Sequence, residues 1–377
     1  MKFGFTRVVI LLVVVLLSAA AVLGCAPTSN RPRGWSGATI SGDNLFVGSM
    51  DGKLEAFSVS GSRLWGVTLK TSEVSSDGFG CAMGSPGVVI YGSPAVVEDL
   101  VYVGGYLSNR SKERGIIYAF NFRRDEPKWL YPRQGTLDGA VIGSLTVAKS
   151  KVYFGSSDGK VYALDATDGY KEWMFDTGGK IWSTPAIDGD TLYIGSFDKK
   201  LYALNAADGS KRWEFETEGA IVSTPLVYKS TVYIGSFDRY LYAINTADGS
   251  LKWKLKAQNW FWAKPVVHNG TIYAGCLDGK VYVLDAESGN KITEISTESP
   301  VSSSPVTDGN LVIVAGQDGV LYALDTDTKE KKILARLEEK IYAPLIASHG
   351  TVYIHTVGDT LYAVDTESGA RREFSLE

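Results

Sequence analysis

The chain has 377 residues, of which 45% are hydrophobic, enough to form a large buried core. Lysine and arginine total 38 against 42 aspartate and glutamate, a net charge of −4, so the charge gives no reason to expect a nucleic-acid partner. The 20 Tyr, 14 Phe and 9 Trp favour strands over helices, and 41 Gly are expected where many tight turns need a positive φ.

The N-terminus has the three parts of an export signal. Two basic residues come first, and Val8–Leu17 is an apolar run too short to span a membrane comfortably. The segment ends in Leu23-Gly24-Cys25, which resembles the bacterial lipobox and implies that Cys25 is acylated as the first mature residue. We therefore predict a lipoprotein signal peptide at 1–24 and a lipidated tether at 25–34 that attaches an exported protein to a membrane.

The residue after Cys25 bears on the destination of the protein. In enteric-type bacteria, the lipobox resemblance implies retention at the inner membrane when Asp follows the acylated cysteine, and here the residue is Ala26. The expected location is therefore the outer membrane where the cell has one, and otherwise the outer face of the cell membrane.

A repeat of 40 residues covers most of the remaining chain, 35–377. It is marked by a regularly spaced tyrosine at Tyr162, Tyr202, Tyr242, Tyr282, Tyr322 and Tyr362, with weaker copies at Glu55 and Tyr118. In the unit Ile181–Glu218, turn residues separate four predicted strands, Trp182–Ile187, Thr191–Gly195, Leu201–Asn205 and Lys211–Glu216. Sheets with two apolar faces bury them by stacking radially, so we predict a single all-β domain, an eight-bladed β-propeller of four-stranded antiparallel blades.

An aromatic anchor follows the turn glycine in five of the eight units. These expected blade-docking residues are Trp65, Trp129, Trp173, Trp213 and Trp253. The last three units have Thr293, Ile333 and Glu373 instead, so we expect weaker contacts between those blades. The final sheet is predicted to be completed by Arg371–Leu376, with ring closure resting on face packing rather than on an exchanged strand.

The segment Asp165–Trp173 resembles the tryptophan-docking motif of the pyrroloquinoline-quinone-type propellers. Matching segments end at Trp213 and Trp253, and the likeness covers Trp35 to Phe374. That family includes quinone-dependent dehydrogenases and the propeller lipoprotein of the outer-membrane β-barrel assembly machine. The resemblance implies a quinoprotein-like fold, but unrelated activities share this motif.

Candidate catalytic groups have ordinary structural explanations. Resemblance to the dehydrogenases would imply a longer chain, a Ca²⁺ site of Glu, Asn and Asp, and often a disulfide of adjacent cysteines, and this sequence has no adjacent Cys pair. The five residues Asp158, Asp198, Asp238, Asp278 and Asp318 recur at one hairpin turn, where Asp satisfies backbone donors. His268, His349 and His355 lack metal-ligand spacing. We expect no metal, no cofactor and no enzymatic activity.

The innermost strands carry the most informative irregularities. Aligned at one level are Trp35, Tyr91, Ile142, Trp182, Val222, Trp262, Ser302 and Tyr342, with Trp260 and Phe261 nearby. Two residues later come Gly37, Ser93, Ser144, Thr184, Thr224, Lys264, Ser304 and Pro344. Either these aromatics pack between blades, or they form a channel mouth for a ligand or partner, built from Trp35, Tyr91, Trp182, Trp260, Trp262, Lys264 and Tyr342. A buried Lys264 would need water, a carboxylate or a ligand.

Two insertions, Thr71–Ile90 and Gly104–Gly115, interrupt the period around blade 2. Such loops either contact partners or have simply lengthened without a function. The first contains Cys81, which the alignment places nearly opposite Cys276 in the ring, so we expect no disulfide between them.

These observations favour a non-enzymatic, lipid-anchored binding scaffold on the outer side of a bacterial membrane. Its most concrete form assists outer-membrane protein assembly by holding partner proteins or nascent β-strands. One alternative is an extracytoplasmic receptor or sensor for a small or sugar-like ligand in the channel mouth. The other is a degenerate quinone-dependent dehydrogenase.

Overall fold

The structure is a computed structural model that describes residues 36–49, 51–69, 88–109, 112–124 and 126–376. These residues form 33 β-strands in eight antiparallel sheets, as the all-β prediction requires. Within these ranges there is no helix of the length and apolar character needed to cross a membrane. The predicted signal peptide and tether lie outside the described residues.

The first four sheets, in chain order, form blades 1 to 4. Blade 1 contains β1 (Thr39–Ser41), β2 (Asn44–Gly48), β3 (Lys53–Ser58) and β4 (Arg63–Thr68). Blade 2 contains β5 (Val89–Ile90), β6 (Ala95–Val97), β7 (Leu100–Asn109), β8 (Lys112–Asn121) and β9 (Glu126–Tyr131). Blade 3 contains β10 (Thr146–Ala148), β11 (Lys151–Gly155), β12 (Lys160–Asp165) and β13 (Lys171–Asp176). Blade 4 contains β14 (Ala186–Asp188), β15 (Thr191–Gly195), β16 (Lys200–Asn205) and β17 (Lys211–Glu216).

The remaining sheets form blades 5 to 8. Blade 5 contains β18 (Leu226–Tyr228), β19 (Thr231–Gly235), β20 (Tyr240–Asn245) and β21 (Leu251–Lys256). Blade 6 contains β22 (Val266–His268), β23 (Thr271–Cys276), β24 (Lys280–Asp285) and β25 (Lys291–Ser296). Blade 7 contains β26 (Val306–Asp308), β27 (Leu311–Ala315), β28 (Val320–Asp325) and β29 (Lys331–Arg336). Blade 8 contains β30 (Ile346–Ser348), β31 (Thr351–His355), β32 (Leu361–Asp365) and β33 (Arg371–Phe374).

Blade 4 shows how the sequence produces each sheet. All of β15 is buried, and β16 is buried except at its two ends, which explains why both strands are nearly continuous apolar runs. The outermost strand β17 instead alternates exposed and half-buried residues, because it lies at the edge of the sheet. The eight hydrophobic clusters each join two consecutive blades, so the core lies between the blades and surrounds the channel.

The innermost strand is shorter than the sequence predicts. We expected a strand over Trp182–Ile187, and β14 covers only Ala186–Asp188. The preceding residues bond to neighbouring blades instead of to their own sheet. The Ser183 hydroxyl donates to the carbonyl of Ser223 at 2.9 Å, and Thr184 Oγ1 accepts from the Ser144 N–H at 2.9 Å.

Blade 2 departs from the predicted four strands. The short strand β5 pairs with the C-terminal half of β7, around Tyr106, and β6 pairs with its N-terminal end, around Tyr102, so this sheet has five strands. The insertion Gly104–Gly115 extends the hairpin β7–β8 to ten residues a strand. Of the insertion Thr71–Ile90, residues 71–87, including Cys81, lie outside the described residues.

Ring closure follows the prediction of face packing without strand exchange. Blades 1 and 8 are each built from consecutive strands, although the last strand ends at Phe374 rather than Leu376. Phe57 of blade 1 and Phe374 of blade 8 meet edge to face, with ring centroids 5.5 Å apart. The seam also has a polar contact, because His355 Nδ1 donates to the Ser36 carbonyl at 2.7 Å.

Tryptophan anchors join blades 2 to 6 in one repeated geometry. Trp173 Nε1 donates to the carbonyl of Ala206 in the next blade at 3.1 Å, and its ring lies over Gly209. A Cβ at Gly209 would fall 2.6 Å from the indole, and φ there is +73°, so both the contact and the backbone require glycine. The same bond and glycine contact recur at Trp129, Trp213 and Trp253. Trp65 instead meets the Phe120 ring at 6.0 Å.

Different side chains occupy the corresponding contacts of blades 6 to 8. Lys329 Nζ donates to the Tyr273 hydroxyl at 3.0 Å across the blade 6–7 interface. Leu334, one residue after the predicted position, lies against Gly369. Arg372 donates to the carbonyls of Val59 and Ser60 at 2.7 Å each. All three are smaller or more exposed contacts than an indole in a buried site.

We therefore expect residues 281–376 to exchange backbone amide hydrogen roughly tenfold faster than residues 152–255, since repeat blades are stabilised by nearest-neighbour contacts. Hydrogen exchange resolved by blade measures this difference. The comparison should use β15, which is fully buried, and β27, which is buried except at Leu311, since both strands occupy the same place in their blades. Equal protection in the two sectors would show that Lys329, Leu334 and Arg372 replace the tryptophans fully.

Candidate binding mouth and channel

At one end of the central channel, the structure brings most of the predicted mouth residues together. A cavity of about 90 Å³ is lined by Tyr91, Trp182, Trp262, Lys264 and Tyr342. They are contributed by the loops that enter the innermost strands, which explains why two adjacent alignment levels of the repeat identified them, one for the aromatic residues and one for Lys264. Trp35 lies outside the described residues. Binding at this mouth stays a prediction.

Five rings form an aromatic cluster beside this cavity, namely Trp182, Phe197, Phe237, Trp260 and Trp262. Phe237 lies between the two tryptophans of blade 6, with its centroid 4.3 Å from Trp260 and 5.5 Å from Trp262, and both pairs are stacked. Trp182 meets Phe197 edge to face at 4.8 Å. Trp260 remains 41% exposed, so the cluster presents an aromatic surface to solvent.

Phe197 and Phe237 are not among the predicted mouth residues, because each lies in a hairpin turn directly before a repeated aspartate, Asp198 or Asp238. They project from the turns that follow β15 and β19, and their centroids lie 6.2 Å apart. The available signal was composition, since the equivalent turn positions in the neighbouring blades 3 and 6 are Ser157 and Leu277, neither of which is aromatic. Two consecutive aromatic turns next to an aromatic innermost loop predict a shared surface.

Lys264 lies where this cavity meets a second one of about 450 Å³ on the other side of the channel. Water reaches its side chain through the channel, yet the surrounding walls desolvate the ammonium group and lower its pKa below the ordinary value. Among the described residues, its Nζ has no hydrogen-bond or ion-pair partner. The carboxylate that the sequence left open as a partner is therefore not found in the described walls.

The repeated aspartates have the turn role that the sequence predicts. Asp158 accepts a hydrogen bond from the Lys160 N–H at 3.0 Å and another from the Tyr162 hydroxyl at 2.6 Å. Equivalent pairs of bonds occur at Asp198 and Asp238. Burial, together with this bond to Asp158, raises the pKa of Tyr162 above its usual range. These carboxylates are occupied by donors of the protein, and Asp238 accepts one further bond, from the Glu218 N–H after blade 4, at 3.0 Å.

The other candidate groups are equally constrained within the described residues. No cluster of three or more His, Cys, Asp or Glu side chains there could hold a metal ion. His355 belongs to the seam, where Nε2 bonds to Asp359 at 2.8 Å. Cys276 is a free thiol at the end of β23, and burial raises its pKa to about 12, which disfavours the reactive thiolate.

Eight radial sheets with tryptophan anchors define an eight-bladed propeller of the pyrroloquinoline-quinone-like repeat class. Within it, the chain belongs to the family described as outer membrane protein assembly factor BamB, whose model matches residues 21–180 and 173–373. The comparison with curated protein sequences gives no significant match.

Two solved structures show the same fold. The crystal structure of BamB from Moraxella catarrhalis is 18% identical with a TM-score of 0.71, and the match covers 87% of this chain and 95% of that one. The computationally designed Ika8 protein is 14% identical with a TM-score of 0.71, over 88% of this chain and 96% of that one. At these identities, the likeness extends to the fold alone.

Proposed function

We propose that this protein is a non-enzymatic, lipid-anchored scaffold on the outer side of a bacterial membrane. It holds partner proteins in outer-membrane protein assembly, in keeping with the family to which it belongs. The observation that carries this proposal is the aromatic cluster, which places five rings at one end of the channel. Clustered aromatic residues on a preformed scaffold are the usual anchors of protein–protein interfaces.

The geometry of the cluster supports a binding role over simple packing. Residues that only pack between blades are fully buried, as Phe261 is at 1% exposure, whereas Trp260 is 41% exposed. Its ring is nevertheless held in place by stacking on Phe237. A rigid, partly exposed aromatic loses little conformational entropy when a partner covers it, so it favours binding.

A non-enzymatic role is supported by the state of the titratable groups. The carboxylates of Asp158, Asp198 and Asp238 each accept from a backbone N–H and a tyrosine hydroxyl. Burial holds Cys276 as a neutral thiol. Lys264 is the one charged residue among the described residues that line the two cavities. General acid–base chemistry needs a positioned pair of groups, which these walls do not supply.

Site-specific photo-crosslinking in cells tests the scaffold proposal. A photoreactive phenylalanine analogue replaces Trp260 in the full-length protein, and the matched control replaces Ile292, which is 51% exposed on the outer edge of blade 6. We expect position 260, but not 292, to form adducts with components that insert β-barrel proteins. Adducts from both positions alike, or none from position 260, would contradict the proposal.

A substitution complements the crosslinking. Phe237→Ala removes the ring that holds Trp260, so copurification of the same partners should fall roughly thirtyfold, the effect of losing an interface anchor worth about 2 kcal/mol. Ile292→Ala is the control and should leave copurification unchanged. A redox assay with added quinone and Ca²⁺ distinguishes the dehydrogenase alternative, and turnover there would overturn the non-enzymatic role.

A further inference from the structure

A set of polar residues shared by the two channel cavities is a second feature of the structure, independent of the aromatic cluster. Both cavities share the residues Ser144, Thr184, Thr224, Lys264, Ser304 and Pro344, which we call the waist. The waist thus contains four hydroxyl groups and one ammonium group, contributed by five different blades. The cavity on the far side from the aromatic cluster is the larger, at about 450 Å³.

The hydroxyl groups of the waist have protons to donate. The oxygens of Ser144, Thr184 and Ser304 accept backbone N–H bonds from neighbouring blades, at 2.9, 2.9 and 3.2 Å. Such bonds use a lone pair of each oxygen and leave its proton free. Within the described part of the chain, no carbonyl or carboxylate accepts these protons. They are therefore available to a group in the channel.

The charge of the waist is positive and uncompensated. No aspartate or glutamate occurs among the described residues that line either cavity, and Lys264 has no partner for its Nζ there. Lys264 is exposed to water within the channel, and the low-dielectric walls around it concentrate the field of its charge, which attracts an anion placed beside it. Hydroxyl protons around the same point add directed donors, and both features disfavour a cation.

We propose that the waist binds the carboxylate of a small organic acid whose apolar part lies in the larger cavity. A volume of about 450 Å³ is in the size range of small-molecule sites, and its lining includes Leu226, Pro265, Pro305 and Leu345. One ammonium group matches one negative charge, and the absence of an arginine fork in the described lining disfavours a phosphate. This site does not rest on the scaffold role, because it opens away from the aromatic cluster.

Calorimetry on the full-length protein, purified in detergent, tests the site with benzoate as the probe. We expect benzoate to bind and the neutral, similarly shaped benzamide to bind at least tenfold more weakly, because charge-assisted hydrogen bonds are the stronger ones. Inorganic phosphate should also bind more weakly than benzoate. Equal affinity for benzoate and benzamide, no binding of benzoate, or a preference for phosphate would each overturn the proposal.

Variants locate the site. Lys264→Met keeps the aliphatic part of the side chain without the charge and should weaken benzoate binding at least tenfold. The control Lys128→Met, which changes an exposed residue of β9, should leave benzoate binding unchanged. Thr224→Val should cost a few-fold, because the Thr224 hydroxyl makes no hydrogen bond within the described residues that the fold would lose. Thermal melts verify folding of each variant. Full benzoate affinity in a folded Lys264→Met protein would contradict the site.

The pH dependence of benzoate affinity distinguishes a lysine that binds the ligand from one that only supports the fold. Benzoate is charged throughout neutral and alkaline pH, so the dependence must come from the protein. The titratable side chains that line the two cavities are Lys264, Tyr91 and Tyr342, and the Lys264→Met variant separates the ammonium group from the two phenols. Burial lowers the pKa of Lys264 below 10.5, and binding should therefore weaken as the pH rises through that lowered value. Lys264→Met should abolish this dependence, and its persistence would assign the titration to another group.

Discussion

Replacing Trp173 with alanine is expected to destabilise the propeller by about 3–5 kcal/mol. The indole is 92% buried between blades 3 and 4, and the substitution removes its packing on Tyr153 and Gly209. It also removes the donor to the Ala206 carbonyl, which leaves a buried acceptor with one partner fewer. Urea unfolding followed by circular dichroism measures the loss as a lower midpoint.

Two control variants separate the contributions. Trp173→Phe keeps most of the ring contact and loses the hydrogen bond, so about 1 kcal/mol of the loss should appear there. Met174→Ala changes a side chain that is 51% exposed on the same strand, and it should stay within about 0.5 kcal/mol of the parent. A Trp173→Ala protein as stable as Met174→Ala would mean that the repeated tryptophan is not an anchor.

The ring itself could be predicted from the sequence because every blade repeats the same contacts. The tyrosines at 40-residue spacing all lie on the third strand of their blade, where Tyr162 and Tyr202 are 5% exposed. A four-strand meander with short turns uses that many residues, so the spacing determines the blade count. The predicted innermost strand is too long because its first residues bond to other blades. Such bonds between blades leave no pattern within a single repeat from which the strand boundary could be predicted.

The substitute anchors of blades 7 and 8 could not be predicted, because they depend on strand register. In blades 3 to 6, the register between the third and outermost strands shifts directly after the third-strand residue that faces the anchor position, as between Ala203 and Leu204 of β16. In blade 7, the shift lies between Leu321 and Tyr322, and in blade 8 the register runs without a shift. These changes bring Leu334 and Arg372 into the contacts, and no local pattern in the sequence marks them.

The channel was predicted in part. Alignment of the repeats identified Trp182 and Trp262 at one level and Lys264 two residues later, since equivalent positions of a repeat lie at the same height in the channel. It did not show that Phe197 and Phe237 complete the aromatic cluster. Phe197 meets Trp182 within blade 4, but Phe237 meets Phe197 and Trp262 across adjacent blades, and contacts between blades leave no pattern within one repeat. The absence of a partner for Lys264 among the described residues could not be predicted either, because it depends on which side chains of five different blades face the channel.

Replacing Cys25 with alanine should move the protein from the membrane to the soluble exported fraction, or leave its signal peptide uncleaved. The segment Leu23-Gly24-Cys25 is the basis of this expectation, and the lipid anchor itself is a prediction from the sequence. Each buried methylene of an acyl chain contributes about 0.8 kcal/mol, so a diacylglyceryl cysteine anchors stably whereas the bare chain does not. Fractionation with an antibody against the propeller measures the shift.

Cys81→Ala is the matched control, because it removes another cysteine without touching the lipobox, and it should leave the membrane fraction unchanged. A Cys25→Ala protein that is cleaved normally and still partitions with membranes would exclude the lipid anchor. The predicted tether at 25–34 keeps the propeller attached to the anchored cysteine. Because the proposed partners are membrane-associated, loss of the acyl chain should also lower the crosslinking yield at position 260.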